Sequence, residues 1–250
     1  MSDQYVQFYR EANTSRAFSE YCSEVYGIDL TQDGFSDKSE LDLMIRFGRV
    51  SNCDQVVDIG CGNGKIDRYI SQQTGAVILG IDYSVEAIKH ANRLVSSNLK
   101  FEVGDINDLS KIESCDVAIL IDSIYFSSDY ERTLCFLYDK LMSKGRIIVM
   151  YSEFIFEEDK RRRLTAQETK IGALIEIQKW TARSLDLTSS IFELMKRKRQ
   201  ASERYKAALE SEGNEWLFSK IHNESIDPAM SYDDFEKFSN RFIYCIEKES

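Results

Sequence analysis

Residues Val56 to Lys65 read VVDIGCGNGK: an apolar run that ends in an acid, Asp58, followed by glycine at every second position, Gly60, Gly62 and Gly64. Glycine reaches backbone torsions closed to other residues and carries no Cβ, so a ligand can lie directly against the amide N–H groups there. A helical pattern begins immediately behind Gly64, and the free N–H groups of its first turn face the same spot. Chemically this is a cradle for a nucleotide-like ligand at the carboxyl edge of a sheet, where open α/β folds bind theirs. The spacing is G-x-G-x-G, unlike the G-x-G-x-x-G fingerprint of dinucleotide sites. Asp58 repels a pyrophosphate at short range and attracts an ammonium. On the loop alone, a phosphate-free ligand with an ammonium, a nicotinamide or flavin dinucleotide, and a merely structural tight turn all stay open.

Three further acids narrow the choice. Asp82 closes AVILGID 20 residues after Gly62, the usual place for a carboxylate that takes both ribose hydroxyls, with Tyr83 next to it. Asp105 closes FEVGD and is followed by Ile106. A carboxylate there accepts from an adenine amino group, while the next N–H and an apolar side chain receive the ring. Asp122 closes DVAILID ahead of SIYF and faces the reacting end of the ligand. Single acids cap helices and end strands everywhere, but four at successive strand ends define one crevice. S-adenosylmethionine has the ammonium, sulfonium and ribose that this set matches, and no phosphate.

Such residues need a sheet to present them. Short apolar or β-branched runs, QVVDIG, AVILGID, LKFEVGD, CDVAILID and GRIIVMYS, alternate with helical patterns near 65–73, 84–96 and 130–143. Near-continuous apolar strands separated by helices form a parallel sheet covered on both faces, because parallel neighbours need crossover connections. Ahead of the glycine loop, Phe18, Tyr21, Cys22, Val25 and Tyr26 recur at helical spacing from Ser15 onward. DKSELDLMIRFGRV then carries Asp37 and Glu40 at capping-box spacing, followed by Leu41, Met44 and Ile45. These segments read as helices lying over the sheet. Beyond Tyr151 come a helix in TAQETKIGALIEI, a strand in KWTARSLDLT, a charged helical region over 189–211, a less regular one reaching 239, and a closing strand in RFIYCIEKE.

In order and spacing, VVDIGCGNG, GIDYS, FEVGDI, CDVAILIDSIYF and LMSKGRIIVMYSEF resemble the class I S-adenosylmethionine-dependent methyltransferases over residues 50–155. The resemblance implies an α/β fold: a doubly wound, Rossmann-like, seven-stranded, mostly parallel sheet whose antiparallel C-terminal strand is RFIYCIEK. It implies one domain over 1–250, made of an N-terminal helical lid (1–50), a cofactor-binding core (51–155) and last strands (156–250) with a helical cap inserted at 189–239. The glycine loop with Asp58, Gly60, Cys61, Gly62 and Gly64 would hold the methionine part, Asp82 with Tyr83 the ribose, and Asp105 with Ile106 the adenine. Asp122 would border the methyl group. The flanks resemble, more loosely, the small-molecule branch such as sarcosine- and sugar-type enzymes, with DLT at Asp186 to Thr188 opening the cap. The implied reaction is SN2 methyl transfer from S-adenosylmethionine to N or O of a small-molecule acceptor, leaving S-adenosylhomocysteine. A cofactor-binding regulatory or partner protein without transfer and a nicotinamide-dependent oxidoreductase are the alternatives.

Methyl transfer asks mainly for alignment and exclusion of water; a base is needed only for a protonated acceptor or a poorly acidic hydroxyl. The candidates to reach the transfer point are Asp122, Tyr125, Tyr21 and Tyr151, although Tyr21 and Tyr26 suit an aromatic face packed on the core equally well. His90 falls on the helix after Asp82, facing away, and His222 lies in the cap region. Pro228 is the sole proline, so the [DNS]-P-P-[YFW] signature of amino-methylating DNA and glutamine enzymes is missing.

Composition sets the outer bounds. A chain of 250 residues that is 43% hydrophobic can bury a full core. Its formal net charge of −10 opposes a surface built to neutralise phosphates, so neither nucleic acid nor an anionic membrane is expected as partner. The basic runs KRRR (160–163) and KRKR (196–199) sit beside acids and read as solvated faces. The six cysteines are scattered, with no C-x-x-C pair and no metal-ligand spacing, which suits a reducing compartment and no metal. With no secretory pattern and no run of about 18 apolar residues, the expected location is cytoplasmic. Nothing in the pattern sets an oligomeric state.

Overall fold

The computed structural model describes residues 2–249. Three helices come first: α1 (Ser2–Ala12), α2 (Arg16–Tyr26) and α3 (Lys38–Gly48). Strands and helices then alternate through β1 (Gln55–Ile59), α4 (Lys65–Thr74), β2 (Val77–Asp82), α5 (Val85–Ala91), β3 (Leu99–Val103), β4 (Cys115–Ile121), α6 (Tyr130–Lys140) and β5 (Leu141–Phe154). Next come α7 (Lys170–Gln178), β6 (Thr181–Asp186), α8 (Thr188–Ser211), α9 (Glu215–Asn223), α10 (Tyr232–Phe238) and β7 (Ser239–Glu247). The strands form one seven-stranded sheet in the order β3-β2-β1-β4-β5-β7-β6. Strands β1 to β5 are mutually parallel, and β7 runs antiparallel between β5 and β6. This is the doubly wound, Rossmann-like sheet expected from the sequence. Its order reverses between β1 and β4, which opens a crevice beyond their carboxyl ends.

The apolar runs bury both faces of the sheet. Val57, Ile59, Ala118, Leu120, Ile147, Val149, Tyr244 and Ile246 belong to one core, and Val56, Val117, Ile119, Ile148, Met150 and Ile243 to the other. Successive residues alternate between them, as strand geometry requires. A third core, largely aromatic, joins α1 and α2 (Phe8, Tyr9, Phe18, Tyr21, Val25) to α8 and α9 (Leu194, Ala201, Leu209, Leu217, Ile221). The N-terminal helices and the helices inserted before β7 thus share one interior above the sheet edge.

Helix α1 goes beyond the sequence reading, which starts its first helix at Ser15. Its stripe of Tyr5, Phe8, Tyr9 and Ala12 has i, i+3, i+4, i+7 spacing and is the signal by which it can be found. Two other boundaries differ. The helix expected over 130–143 ends at Lys140, and Leu141 pairs with Cys115 as the start of an irregular β5 in which Lys144 has φ 62°. The helix expected over 84–96 passes into a 3₁₀ turn at Asn92–Leu94. The capping box at Asp37 is half formed. Asp37 accepts the Glu40 N–H at 3.0 Å, but the Glu40 side chain turns inward to meet Arg241.

Arg241 of β7 is the one guanidinium among the largest fully buried side chains. Its Nε donates to Glu40 Oε2 at 3.0 Å; Nη1 donates to Asp122 Oδ1 at 2.6 Å and to Ser152 Oγ at 3.0 Å; Nη2 donates to Asp122 Oδ2 at 3.1 Å and to Ser36 Oγ at 2.8 Å. Burial alone would lower its pKa, but Asp122 and Glu40 more than offset this and hold it above the ordinary value. Glu40 sits above the usual carboxylate range because burial outweighs the pull of Arg241. One side chain therefore joins β7, α3, β5, the end of β4 and the loop before α3. Replacing Arg241 by Met strands two buried carboxyls, and urea unfolding at neutral pH should show a loss of about 3–5 kcal/mol. The deficit should shrink as pH falls, because Glu40, which burial already holds above the ordinary carboxylate range, takes up a proton.

Candidate functional site

Strand β1 delivers Asp58 and Ile59 to the switch point, and the chain then folds back on β2. The N–H groups of Gly60 and Cys61 both donate to the Ile81 carbonyl, at 2.7 and 3.1 Å. Gly60, Gly62 and Gly64 have φ of 89°, 57° and 73°, a region that favours glycine. A Cβ at Gly60 would lie 2.5 Å from Cβ of Ser123, and one at Gly62 would collide with the Tyr9 hydroxyl. Asp82 accepts the Gly62 N–H at 2.9 Å and the Ser84 N–H at 2.8 Å; burial nonetheless raises its pKa. Asp58 is buried, and its Oδ1 meets no hydrogen-bond partner. Burial pushes its pKa up to about 6.

The opposite wall comes from α1 and the loop before α3. Asn63, between the second and third glycines, donates from Nδ2 to the carbonyls of Leu30 (3.1 Å) and Thr31 (3.0 Å), and so fastens that loop to the glycine loop. Asp33 projects from the same loop and is paired with Lys220 of α9 at 3.0 Å. Burial and the nearby charge of Glu224 push Asp33 up to about 6, against the pull of Lys220.

Two adjoining cavities lie between these walls. One encloses roughly 570 Å³ of solvent-connected space beside Tyr5, Asp82, Tyr83, Gly104, Ile106 and Phe126. The other, roughly 480 Å³, lies beside Asp58, Cys61, Gly62 and Asn63. Tyr9, Asp33, Gly60, Ile121 and Asp122 border both. The lining carries four carboxyls, Asp33, Asp58, Asp82 and Asp122, and among the described residues no Lys, Arg or His.

The structure brings most of the residues expected from the sequence to this place, but not all. Asp58, Gly60, Cys61, Gly62, Asp82, Tyr83, Ile106 and Asp122 line the cavities, and Gly64 caps α4 directly behind them. Asp105 does not line them. It is exposed, and its Oδ1 accepts from the N–H and Nδ2 of Asn107, both at 2.9 Å, in a turn that leaves Gly104 and Ile106 facing inward. Asp122 has φ 52°, and its carboxylate is held by Arg241, the Phe35 N–H and Ser36, which leaves it unsuited to act as a free base.

Tyr125 lies under the sheet edge, stacked on Tyr151 with centroids 5.3 Å apart, and its hydroxyl accepts the Ser152 N–H at 2.5 Å. Tyr151 donates to Glu153 at 2.7 Å. Tyr21 is fully buried among Phe18, Tyr26 and Tyr205. None of these three tyrosines lines either cavity. His90 sits beside Glu86 at 3.5 Å, and His222 contacts Arg199 and Ser202. The basic runs are paired with acids, Lys160 with Glu157, Arg162 with Glu168, Arg197 with Asp37 and Lys198 with Glu224, and Lys198, expected on a solvated face, is buried. Tyr5, Tyr9, Asp33 and Arg241 are the site residues that sequence reading misses.

Residues 51–213 match the sequence profile of a family described as "Methyltransferase domain". The chain belongs to the class I S-adenosylmethionine-dependent methyltransferases. Trans-aconitate 2-methyltransferase of Deinococcus radiodurans is 32% identical over 123 residues, covering 47% of this chain and 46% of that protein. The chain thus spans about half or less of the length of the curated relatives it matches. Among solved structures, the Haemonchus contortus phosphoethanolamine N-methyltransferase 2, bound to phosphomonomethylethanolamine and S-adenosylhomocysteine, superposes with a TM-score of 0.74. It is 14% identical, over 98% of this chain and 60% of that one. The [4+2]-cyclase SpnF superposes with a TM-score of 0.66 at 15% identity, over 93% of each chain; at these identities the likeness is one of fold.

The residues present fit the family's cofactor. A buried carboxylate oxygen with no partner, Asp58 Oδ1, stands at a cavity where an ammonium would satisfy it. Gly60 and Gly62, at positive φ, place no Cβ in that cavity, and Asp82 stands at the next strand end. Asn63 fastens the wall that closes over it. Asn63→Ala should speed hydrogen exchange of the 30–36 amides by about tenfold, the effect of losing two hydrogen bonds worth roughly 1 kcal/mol each and in part replaced by water. Amides of β1 and β4 should exchange at the unaltered rate.

Proposed function

We propose that the chain transfers a methyl group from S-adenosylmethionine to N or O of a small, neutral or cationic acceptor. In this reading residues 1–250 act as one domain: 1–50 form a lid, 51–155 hold the cofactor, and 156–250 supply the last strands with a cap at 189–239. The observation that carries it is the pair of adjoining cavities at the switch point, one against Asp82 and Ile106, the other against Asp58 and the glycine loop. Asp58 would take the cofactor's ammonium, the backbone of Gly60, Cys61 and Gly62 its amino-acid part, Asp82 with Tyr83 the ribose, and Gly104 with Ile106 the adenine. When bound, S-adenosylmethionine supplies an electrophilic methyl carbon on a sulfonium. Tyr5 and Tyr9 of α1 exclude water from the place where the cavities meet. There Asp33 takes a proton from a protonated acceptor, the role that Asp122 loses through its grip on Arg241.

Electrostatics supports the acceptor class. A phosphate or multiply anionic acceptor would face four carboxyls with no lining cation, whereas an amine or hydroxyl compound would not be repelled. The two cavities are small, roughly 570 and 480 Å³ of solvent-connected space, which suits a small molecule better than a polymer.

Calorimetry with S-adenosylhomocysteine and with NAD tests the cofactor. Asp82→Ala should weaken S-adenosylhomocysteine binding by about 1–3 kcal/mol, the cost of unmatched ribose hydroxyls; unchanged affinity removes Asp82 from the site. Release of S-adenosylhomocysteine with a panel of small amines and hydroxyl compounds tests the reaction. Binding without release in any of them would leave a cofactor-binding partner protein, and NAD binding in place of S-adenosylhomocysteine an oxidoreductase.

A further inference from the structure

Beneath the glycine loop lies a second acid that the proposed reaction does not use. Asp67, in the first turn of α4, is fully buried, and neither of its carboxyl oxygens meets a donor N–H or O–H of another group. It lies beside Asp58: its Oδ2 reaches Gly80 of β2, the residue paired with Asp58 across β1 and β2, and the charge of Asp58 raises its pKa. Space for it is made on β2, where Gly80 stands: a Cβ there would collide with the Asp67 carboxyl. Two carboxylates pressed together out of water cannot both ionise, so the pair keeps a proton.

We propose that Asp67 is a positioning residue of the cofactor site: neutral and buried under the glycine loop, it donates its proton to Asp58 and so holds Asp58 as the single carboxylate that receives the cofactor's ammonium. This rests on the reading of Asp58 as the ammonium site. The Asp58 oxygen without a partner then remains free for the ligand, and the pair presents one negative charge.

The surroundings fix which partner keeps the proton. Asp82 from β2 and Cys61 from the loop face the pair, and Phe101 of β3 adds no charge. Across the cavity stand Asp33, already paired with Lys220, and Asp122, already paired with Arg241. Burial pushes Asp58 up to about 6 and Asp67 far higher, because Asp67 also feels the Asp58 charge and gives its proton to it. Near neutral pH, Asp67 is therefore protonated in the folded chain and ionised in the unfolded one. Folding takes up that proton, and the associated cost is present at neutral pH and vanishes below the ordinary carboxylate pKa of about 3.9.

Three variants test this. Asp67→Asn keeps a donor toward Asp58 without a titrating proton. It should bind S-adenosylhomocysteine at pH 7 within about threefold of the parent, and its Tm should exceed the parent's at pH 8 by more than at pH 4.5. Asp67→Leu removes the donor and should bind S-adenosylhomocysteine at least about tenfold more weakly at pH 7. In the parent chain, affinity should fall about tenfold per pH unit below about 6, as Asp58 protonates. Equal losses of affinity in Asp67→Asn and Asp67→Leu, or a Tm difference between Asp67→Asn and parent that does not vary with pH, would overturn the proposal. Asp58→Asn separates it from the reading beneath it. If that variant binds S-adenosylhomocysteine as the parent does, the ammonium assignment fails, while the Tm profile of Asp67→Asn still reports whether Asp67 holds the proton.

Discussion

A guanidinium sealed from water has to be answered by charge and hydrogen bonds on every side, and in this chain Arg241 is answered by four separate segments. Desolvation of such an ion is expensive, and it is tolerated only where the geometry of its partners is fixed. The consequence reaches well beyond β7. Glu40 sets the inner end of α3, Ser36 sets the loop before it, Ser152 belongs to β5, and Asp122 is held at a positive φ at the mouth of the crevice. The α3 side and the sheet side of the cavities are thus positioned by one buried cation. The same interaction occupies both oxygens of Asp122, which Arg241, the Phe35 N–H and Ser36 hold between them.

Around that anchor the cavity walls are made by two kinds of force. Apolar burial seats α1 and α2 on α8 and α9, through an aromatic core that includes Phe8, Phe18 and Tyr21. Hydrogen bonding then sets the fine spacing: Asn63 reaches two carbonyls of the loop before α3, and Asp82 receives the N–H of Gly62. Packing is tolerant of small displacements, whereas a hydrogen bond weakens steeply outside its narrow range. The division places the narrowest tolerances at the glycine loop.

Much of the cofactor side is legible in the primary structure because its signals are local. Gly60, Gly62 and Gly64 stand where the backbone must take positive φ, Asp58 and Asp82 end consecutive apolar runs, and each of these facts needs only a few neighbouring residues. The strands β1 to β5 are legible for the same reason, since a strand buried on both faces writes itself as an unbroken apolar run. Asp105 shows where this fails. It satisfies the strand-end rule, yet an Asx turn with Asn107 rotates it out and leaves Gly104 and Ile106 as the cavity wall. A local hydrogen bond two residues away competes successfully with the register of the sheet.

The sequence by itself determined the sheet, its glycine loop and the class of ligand those can hold, because periodicity, glycine torsion and strand-end charge act over short stretches of chain. Only the tertiary structure decided which side chains share the crevice. Tyr5 and Tyr9 arrive from α1 and Asp33 from a loop, while Arg241 of β7 and Asp67 of α4 are buried behind the lining. Tyr21 and Tyr125, equally aromatic and equally close in sequence to expected site elements, are instead packed away. Their roles depend on which faces meet after long-range burial, and residues far apart in the chain have no local pattern that records that meeting.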